Sequence, residues 1–296
     1  MGDVSDQAGQ ESSSAHARRQ FLYTAAPRSL GKSQAMSANE LGAHAATYPS
    51  LRGRSVFITG GGSGIGAAFV EGFARQGSRV AFVDVAEAAS QALLEKLEKA
   101  GLPRPWYRKT DVTDVRALQA AIADAASALS DFYVLINNVA NDDRHNLMEV
   151  TPEYYDQRIA VNQRPAFFAI QAVVPGMKKM GGGSIINVGS NSYGAKGRNF
   201  PTYTTAKSSV IGLTRGLAAE LGEHRIRINV LTPGWIMTER QIQKWLTPEG
   251  EQDIKRYQVL PDKVKPEDVV PMALFLASDD ARACSAQEYI VDAGWL

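Results

Sequence analysis

Apolar positions along the chain switch between two periods. Short unbroken runs recur at Val56-Phe57-Ile58, at Val80-Ala81-Phe82-Val83 and at residues 133–136, 184–188 and 226–231. Each is too short for a helix and rich in β-branched or aromatic residues, which predicts buried strands. Residues 106–110 and Tyr289-Ile290-Val291 add two more. Between the runs, apolar residues recur every three or four positions, as on one helix face. Leu93, Leu94 and Leu97 mark residues 87–100, which end at Gly101, and Val115, Leu118, Ile122 and Leu129 mark the next segment. A helix starting near Pro152 is expected to break near Asn162, with Pro165 in the first turn of its continuation. Residues 203–221 and 266–277 read as further helices. The stretch 235–261 breaks the alternation and is expected to form a lid of short helices. Strands and helices alternating from residue 55 to the end predict an α/β fold. Its form is a doubly wound, parallel, seven-stranded sheet with helices on both faces and right-handed crossovers.

The first 48 residues lack this patterning. They are rich in Ser, Ala, Gly and Gln, and on composition form a disordered N-terminal extension ahead of one folded domain at 49–296. Arg18-Arg19-Gln20-Phe21-Leu22 resembles the core of a twin-arginine export signal, but Pro27, Arg28 and Lys32 interrupt the apolar stretch such a signal needs. A start of translation near Met36 is the alternative reading. With an apolar fraction of 44%, the 296-residue chain has material for a large core. A net charge of +1 without a long basic stripe argues against nucleic acid or an anionic membrane as partner. Cys284 is the only cysteine, which excludes an internal disulfide and a cysteine metal cluster. No apolar stretch is long enough to cross a bilayer, so a soluble, cytoplasmic protein is expected.

Candidate chemistry begins where the first strand ends. Thr59-Gly60-Gly61-Gly62-Ser63-Gly64-Ile65-Gly66 reads as a glycine turn opening a helix. Such a junction aims free N–H groups and the positive end of the helix dipole at one point, where a diphosphate binds. The second strand ends in Asp84, about twenty residues on, where an acid would hold the adenosine ribose. Gly60, Asp84, Asp111, Asn138, Ser190 and Pro233 all fall just beyond a predicted strand end, and a parallel sheet brings such positions to one edge. Tyr203 and Lys207 are four apart on one helix and share a face, with Ser190 thirteen positions before the tyrosine. Alone, a Tyr-x-x-x-Lys pair is an ordinary exposed helix face; the serine spacing and the glycine turn give it chemical meaning.

Together these motifs resemble the short-chain dehydrogenase/reductase family over residues 51–296. The glycines follow Gly-x-x-x-Gly-x-Gly, Asn137-Asn138-Val139-Ala140 follows the family's Asn-Asn-Ala-Gly with Ala140 in place of the last glycine, and the active-site set is complete as Asn162, Ser190, Tyr203 and Lys207. The resemblance implies a single Rossmann-type domain and NAD(P)-dependent hydride transfer at a carbon bearing oxygen. It casts Tyr203 as the base, with its pKa lowered by Lys207 and the oxidised cofactor. Ser190 would position the substrate oxygen and Asn162 would hold a water beside Lys207. It places the cofactor against Gly60, Ser63, Gly64, Ile65, Gly66, Asp84, Asp111, Val112, Asn138, Ala140, Tyr203, Lys207, Pro233, Gly234, Ile236 and Thr238. No metal is called for. Capping of the following helix is the second role open to Asp111, and to Thr113. Asp84 would repel a 2′-phosphate and neither Ser63 nor Val85 is basic, so the cofactor is read as NAD.

The wording of Asn141-Asp142-Asp143-Arg144-His145, of residues 246–251 and of the ending Val291-Asp292-Ala293-Gly294-Trp295 resembles the bacterial NAD-dependent aldose 1-dehydrogenases within that family. That implies oxidation of an aldose at its anomeric carbon to a lactone, a pentose or close hexose, xylose or arabinose first. The alternatives are a carbonyl or 3-oxoacyl reductase or other secondary-alcohol dehydrogenase, and a non-catalytic dinucleotide-binding protein. Substrate contacts are expected from Asn141, Ser190, Ser192 and Trp235, the last equally suited to packing in the lid. Most of the charged run 141–145 reads as solvated loop, with His145 structural. The family further implies a homotetramer built on helices 152–180 and 203–221, with the apolar C-terminal tail buried at a contact.

Overall fold

The computed structural model describes residues 46–296. The arginine pair, Met36 and nearly all of the expected N-terminal extension lie outside the described residues. Gln76 donates to the Ala46 carbonyl and accepts the Tyr48 N–H, each at 2.9 Å, which ties residues 46–48 to the domain. Chain order within the described residues is β1 (Ser55–Thr59), α1 (Gly64–Arg75), β2 (Arg79–Asp84), α2 (Glu87–Lys99), β3 (Trp106–Lys109), α3 (Val115–Ala128) and β4 (Val134–Asn137). After these come α4 (Pro152–Asn162), α5 (Arg164–Met180), β5 (Gly183–Val188), α6 (Ser192–Ala195), α7 (Pro201–Gly222), β6 (Ile226–Pro233), α8 (Glu239–Lys244), α9 (Pro248–Tyr257), α10 (Pro266–Ala277) and β7 (Glu288–Val291).

All seven strands pair in parallel, in the order β3-β2-β1-β4-β5-β6-β7. The sheet is covered on both faces, which is why its strands read as continuous apolar runs. Alternate residues divide between two cores. Val56, Ile58, Val80 and Phe82 face Phe69 and Phe73 of α1 and Leu94 of α2, while Phe57, Ala81 and Val83 face Leu118 of α3 and Ile170 of α5. The order reverses between β1 and β4, so their carboxyl ends diverge into the crevice where such sheets bind ligands.

Three local details position the site. Helix α4 ends at Asn162 because Gln163 leaves helical geometry (φ −132°, ψ −53°) and Pro165 has no N–H to give. The Ala166 N–H, which an unbroken helix would direct at the Asn162 carbonyl, bonds Gln163 instead. Asp114, rather than Thr113 or Asp111, caps α3 through the Ala117 N–H, while the Asp111 carboxylate turns onto the Thr113 N–H and hydroxyl. The stretch 235–261 holds the two short helices α8 and α9. The C-terminal tail packs under it rather than only outward, since Trp295 meets Trp235 and Tyr257 at ring-centroid distances of 6.3 and 5.6 Å.

Candidate active site

Glycine at two positions of the β1–α1 turn is a steric requirement. Gly60 has φ +69°, in the left-handed region that favours glycine, and a β-carbon on Gly66 would stand 1.8 Å from the Gly60 carbonyl oxygen. Asn138 braces this turn from β4, its amide donating to the Thr59 and Gly60 carbonyls at 3.2 and 2.9 Å. Ser63 occupies the N-cap of α1 without using its hydroxyl as a cap. That leaves the first-turn N–H groups of Gly64, Ile65 and Gly66 for an anion.

This turn opens onto a cleft of about 2020 Å³ at the carboxyl edge of the sheet. The residues expected around the cofactor all line it, from Gly60 and Asp84 through Asp111 and Val112 to Ile236 and Thr238. Ala140 lines it too, without positive φ, so its methyl replaces the family's glycine with no backbone strain. Each Asp84 oxygen already accepts one N–H, from Gly62 and Ala86, both at 2.8 Å. Those bonds fix the carboxylate and leave a lone pair on each oxygen for a diol. No basic side chain lines the cleft beside it, where Val85, Ala86 and Thr110 stand. A glycine cradle, a free helix N-terminus and a fixed acid therefore fit a dinucleotide.

At the other end of the cleft, α7 presents Tyr203 and Lys207. Lys207 is buried, its ammonium donating to the Val188 and Val139 carbonyls at 2.9 and 3.3 Å, and burial pulls its pKa down to about 8. Ser190 stands beside Tyr203 and acts to lower its phenol, while its own hydroxyl accepts the Ser192 N–H at 3.2 Å. In the polypeptide alone the tyrosine stands above its ordinary value. Burial pushes the phenol up to about 12, helped by Asp142 and opposed by Ser190 and Arg144. Lys207 is not among the groups that lower it, and its ammonium is turned onto two carbonyls.

The Asn162 side chain is engaged within the protein. Its amide oxygen takes the Asn141 N–H at 2.7 Å, and its nitrogen donates to the carbonyls of Asn141 and Arg158. The side chain therefore holds the loop after β4. Its main-chain carbonyl, released by the helix break, is the atom left for a water. A small cavity of about 10 Å³, room for one water, lies between Asn162, Lys207 and Asn137, whose amide oxygen is buried with no partner among the described residues.

The expected substrate positions separate. Ser192 is buried at the cleft with its hydroxyl unpartnered among the described residues. Asn141 lines the cleft, but its amide oxygen is spent on the Asp143 N–H. Trp235 does both jobs: it lines the cleft while its indole N–H bonds Gln241 at 2.9 Å and its ring presses on Gly250. His145 is fixed through both ring nitrogens, to Tyr154 and Thr202, and ties the loop to α7. Sequence reasoning missed Arg144 and Trp245. The first looked solvated in its charged run, and nothing local signalled that Phe200 and Trp245 would fold over it.

A family model described as enoyl-(acyl carrier protein) reductase matches residues 60–296. The D-xylose 1-dehydrogenase of Caulobacter vibrioides is 49% identical over 250 residues, covering 84% of this chain and 98% of the relative. The chain belongs to the short-chain dehydrogenase/reductase family. A second relative, named "Probable galactose dehydrogenase GalD", of Rhizobium meliloti, is 47% identical across 83% of this chain and 96% of its own. Among solved structures, a 7α-hydroxysteroid dehydrogenase in complex with NADH and 7-oxoglycochenodeoxycholic acid matches with a TM-score of 0.78 at 29% identity, over 83% of this chain and 96% of that one. This short-chain dehydrogenase/reductase is thus an oxidoreductase of CH–OH groups that uses a nicotinamide dinucleotide with a small-molecule substrate. No helix among the described residues is long and apolar enough to cross a membrane.

Proposed function

We propose that this enzyme is an NAD-dependent aldose 1-dehydrogenase, taking a pentose or close hexose, xylose or arabinose first, to its lactone. The observation that carries the substrate class is the likeness, along the whole catalytic domain, to two relatives both named for aldoses. The test is NADH formation when the purified protein meets NAD and a panel of aldoses and simple alcohols. Aldoses should be preferred, because several hydroxyls meeting fixed polar partners give discrimination that an apolar pocket does not supply.

The roles follow from the geometry. Tyr203 takes the hydroxyl proton of the sugar, and Ser190, beside it, holds the substrate oxygen in line. A bound dinucleotide supplies the hydride acceptor and, when oxidised, the positive charge that brings a phenol from about 12 toward neutral pH. Lys207 stands between the phenol's helix and the small cavity, where a water held by the Asn162 carbonyl would pass the proton outward. In reverse, the protonated phenol donates to a carbonyl.

NAD is preferred over NADP on the strength of Asp84. Asp84→Ala should lose about tenfold or more in NAD affinity, because a charge-assisted bond contributes roughly 1.5–3 kcal/mol. It should also lessen the rejection of NADP, and a fluorescence titration with both cofactors reads the two effects. An unchanged preference would place Asp84 away from the ribose.

The family's homotetramer is proposed here as well. Tyr155 on α4 and Phe167 on α5 remain exposed, as do Ile290 on the edge strand and Leu296. Apolar side chains at these places suit burial against further copies. Light scattering should give four times the 32.0 kDa chain mass, and a monomer at micromolar concentration would refute it. A dinucleotide enzyme with a single cysteine also suits a reducing cytoplasm.

A further inference from the structure

Four buried nitrogen donors of cleft-lining residues have no hydrogen-bond acceptor among the described residues: Nε and Nη1 of Arg158, the latter 3.6 Å from the Asp143 carboxylate, Nη1 of Arg144 and Nε1 of Trp245. The Arg144 and Trp245 donors are neighbours. The guanidinium carbon of Arg144 lies 4.9 Å from the Trp245 ring centroid and 3.9 Å from that of Phe200, so the cation is clamped between two aromatic faces. The same Phe200 ring stands 5.9 Å from the ring of Tyr203. The clamp therefore belongs to the wall beside the candidate base.

The carboxylates that might satisfy Arg144 are engaged elsewhere. Asp142 accepts from Arg240 at 3.3 Å and from Gln241 at 2.7 Å, and Asp143 accepts from Arg240 at 2.6 Å with Arg158 3.6 Å away. A buried donor left unpaired is costly, and more so when charged. Aromatic faces hold a guanidinium in place but do not accept its N–H bonds in the ring plane. The wall thus offers a rigid cationic fork and an indole N–H, which only donate. Its complement is a ligand group rich in acceptor oxygens.

We propose that Arg144 and Trp245 set substrate specificity, donating from Nη1 and Nε1 to ring hydroxyl oxygens of the sugar other than the one oxidised. The proposal rests on the aldose reading and adds to it the residues that tell a sugar from a simple alcohol. Charge also reaches the chemistry: Arg144 is one of the groups that oppose the upward shift of the Tyr203 phenol. A substrate filling the clamp would sit with its reacting carbon toward that phenol.

The test compares kcat/KM for wild type, Arg144→Met, Arg144→Lys and Trp245→Phe, using the best aldose and its singly deoxygenated analogues. Arg144→Met should lose about 10- to 150-fold on the parent aldose, the range for a hydrogen bond to a charged group, mostly through KM. On the analogue lacking the partner hydroxyl, wild type and Arg144→Met should differ by less than about threefold, since the bond is already gone. Trp245→Phe should repeat the pattern at roughly 2- to 10-fold, as for a neutral bond. Arg144→Lys, which keeps the charge and loses the fork, should fall between. Should Arg144→Met not fold, the lysine variant and Trp245→Phe still decide. An equal loss on the aldose and on every analogue would make the clamp structural and overturn the proposal, as would no loss at all. A uronate preferred over neutral sugars, with that preference abolished in Arg144→Met, would assign the clamp to a carboxylate instead and overturn it too. If wild type turns over no aldose, the aldose reading falls and takes this proposal with it. Aldose turnover indifferent to Arg144 and Trp245 refutes this proposal alone.

Discussion

Tyr203→Phe should lower turnover by at least ~100-fold, the lower end for a lost general base, while NAD binding survives. The substitution keeps the ring that packs 5.9 Å from Phe200 and removes only the phenol oxygen. The pH dependence gives the prediction a second reading. Oxidation needs the phenolate, so the wild-type rate should rise as pH increases above neutral. In the polypeptide burial outweighs Ser190 and Arg144 and holds the phenol near 12, whereas a positively charged bound cofactor acts in the opposite sense. The inflection of kcat should therefore fall below the ordinary tyrosine value of about 10, and Tyr203→Phe should abolish that inflection. A variant with full activity, or one retaining the same inflection, would remove Tyr203 from the chemistry.

Gly66→Ala should cripple the protein by a different route. Its β-carbon would stand 1.8 Å from the Gly60 oxygen and 2.7 Å from the Asn138 amide, so the turn and α1 must separate. Overpacking of this kind costs about 1–3 kcal/mol. For a domain of this size that lowers the unfolding midpoint by roughly 2–10 °C. Separation also moves the first-turn N–H groups away from the diphosphate position. NAD affinity should accordingly drop by more than about tenfold, out of proportion to the loss of stability. Thermal unfolding with and without NAD measures both, and an alanine variant that NAD still stabilises as strongly as wild type would refute the cradle.

These two residues show what the sequence alone reveals. Gly66 and Tyr203 belong to short motifs whose spacing is local, and the strands ending beside them are buried on both faces, so their apolar runs are unbroken. Sheet, turn and the Tyr203–Lys207 face follow from such patterns. Arg144 does not. Its neighbours Asp142 and Asp143 suggest solvent, and only the tertiary fold brings Phe200 and Trp245 against it. Asn162 was identifiable as a site residue, yet the atom it has to offer depends on the break at Gln163 and on where the loop after β4 runs. The height of the Tyr203 pKa in the polypeptide alone is likewise not local, because burial outweighs neighbours, and burial is a property of the whole cleft. The helix α6 left no signal, being a single turn beside Ser192.

Hydride transfer from the anomeric carbon is the centre of the account, and an aldose carrying deuterium at that carbon tests it directly. Incubated with NAD and the purified enzyme, deuterated xylose or arabinose should yield NADH that bears the label by mass spectrometry, together with the sugar lactone. Unlabelled NADH would contradict the account, as would the absence of turnover with every aldose while an oxoacyl substrate oxidises NADH.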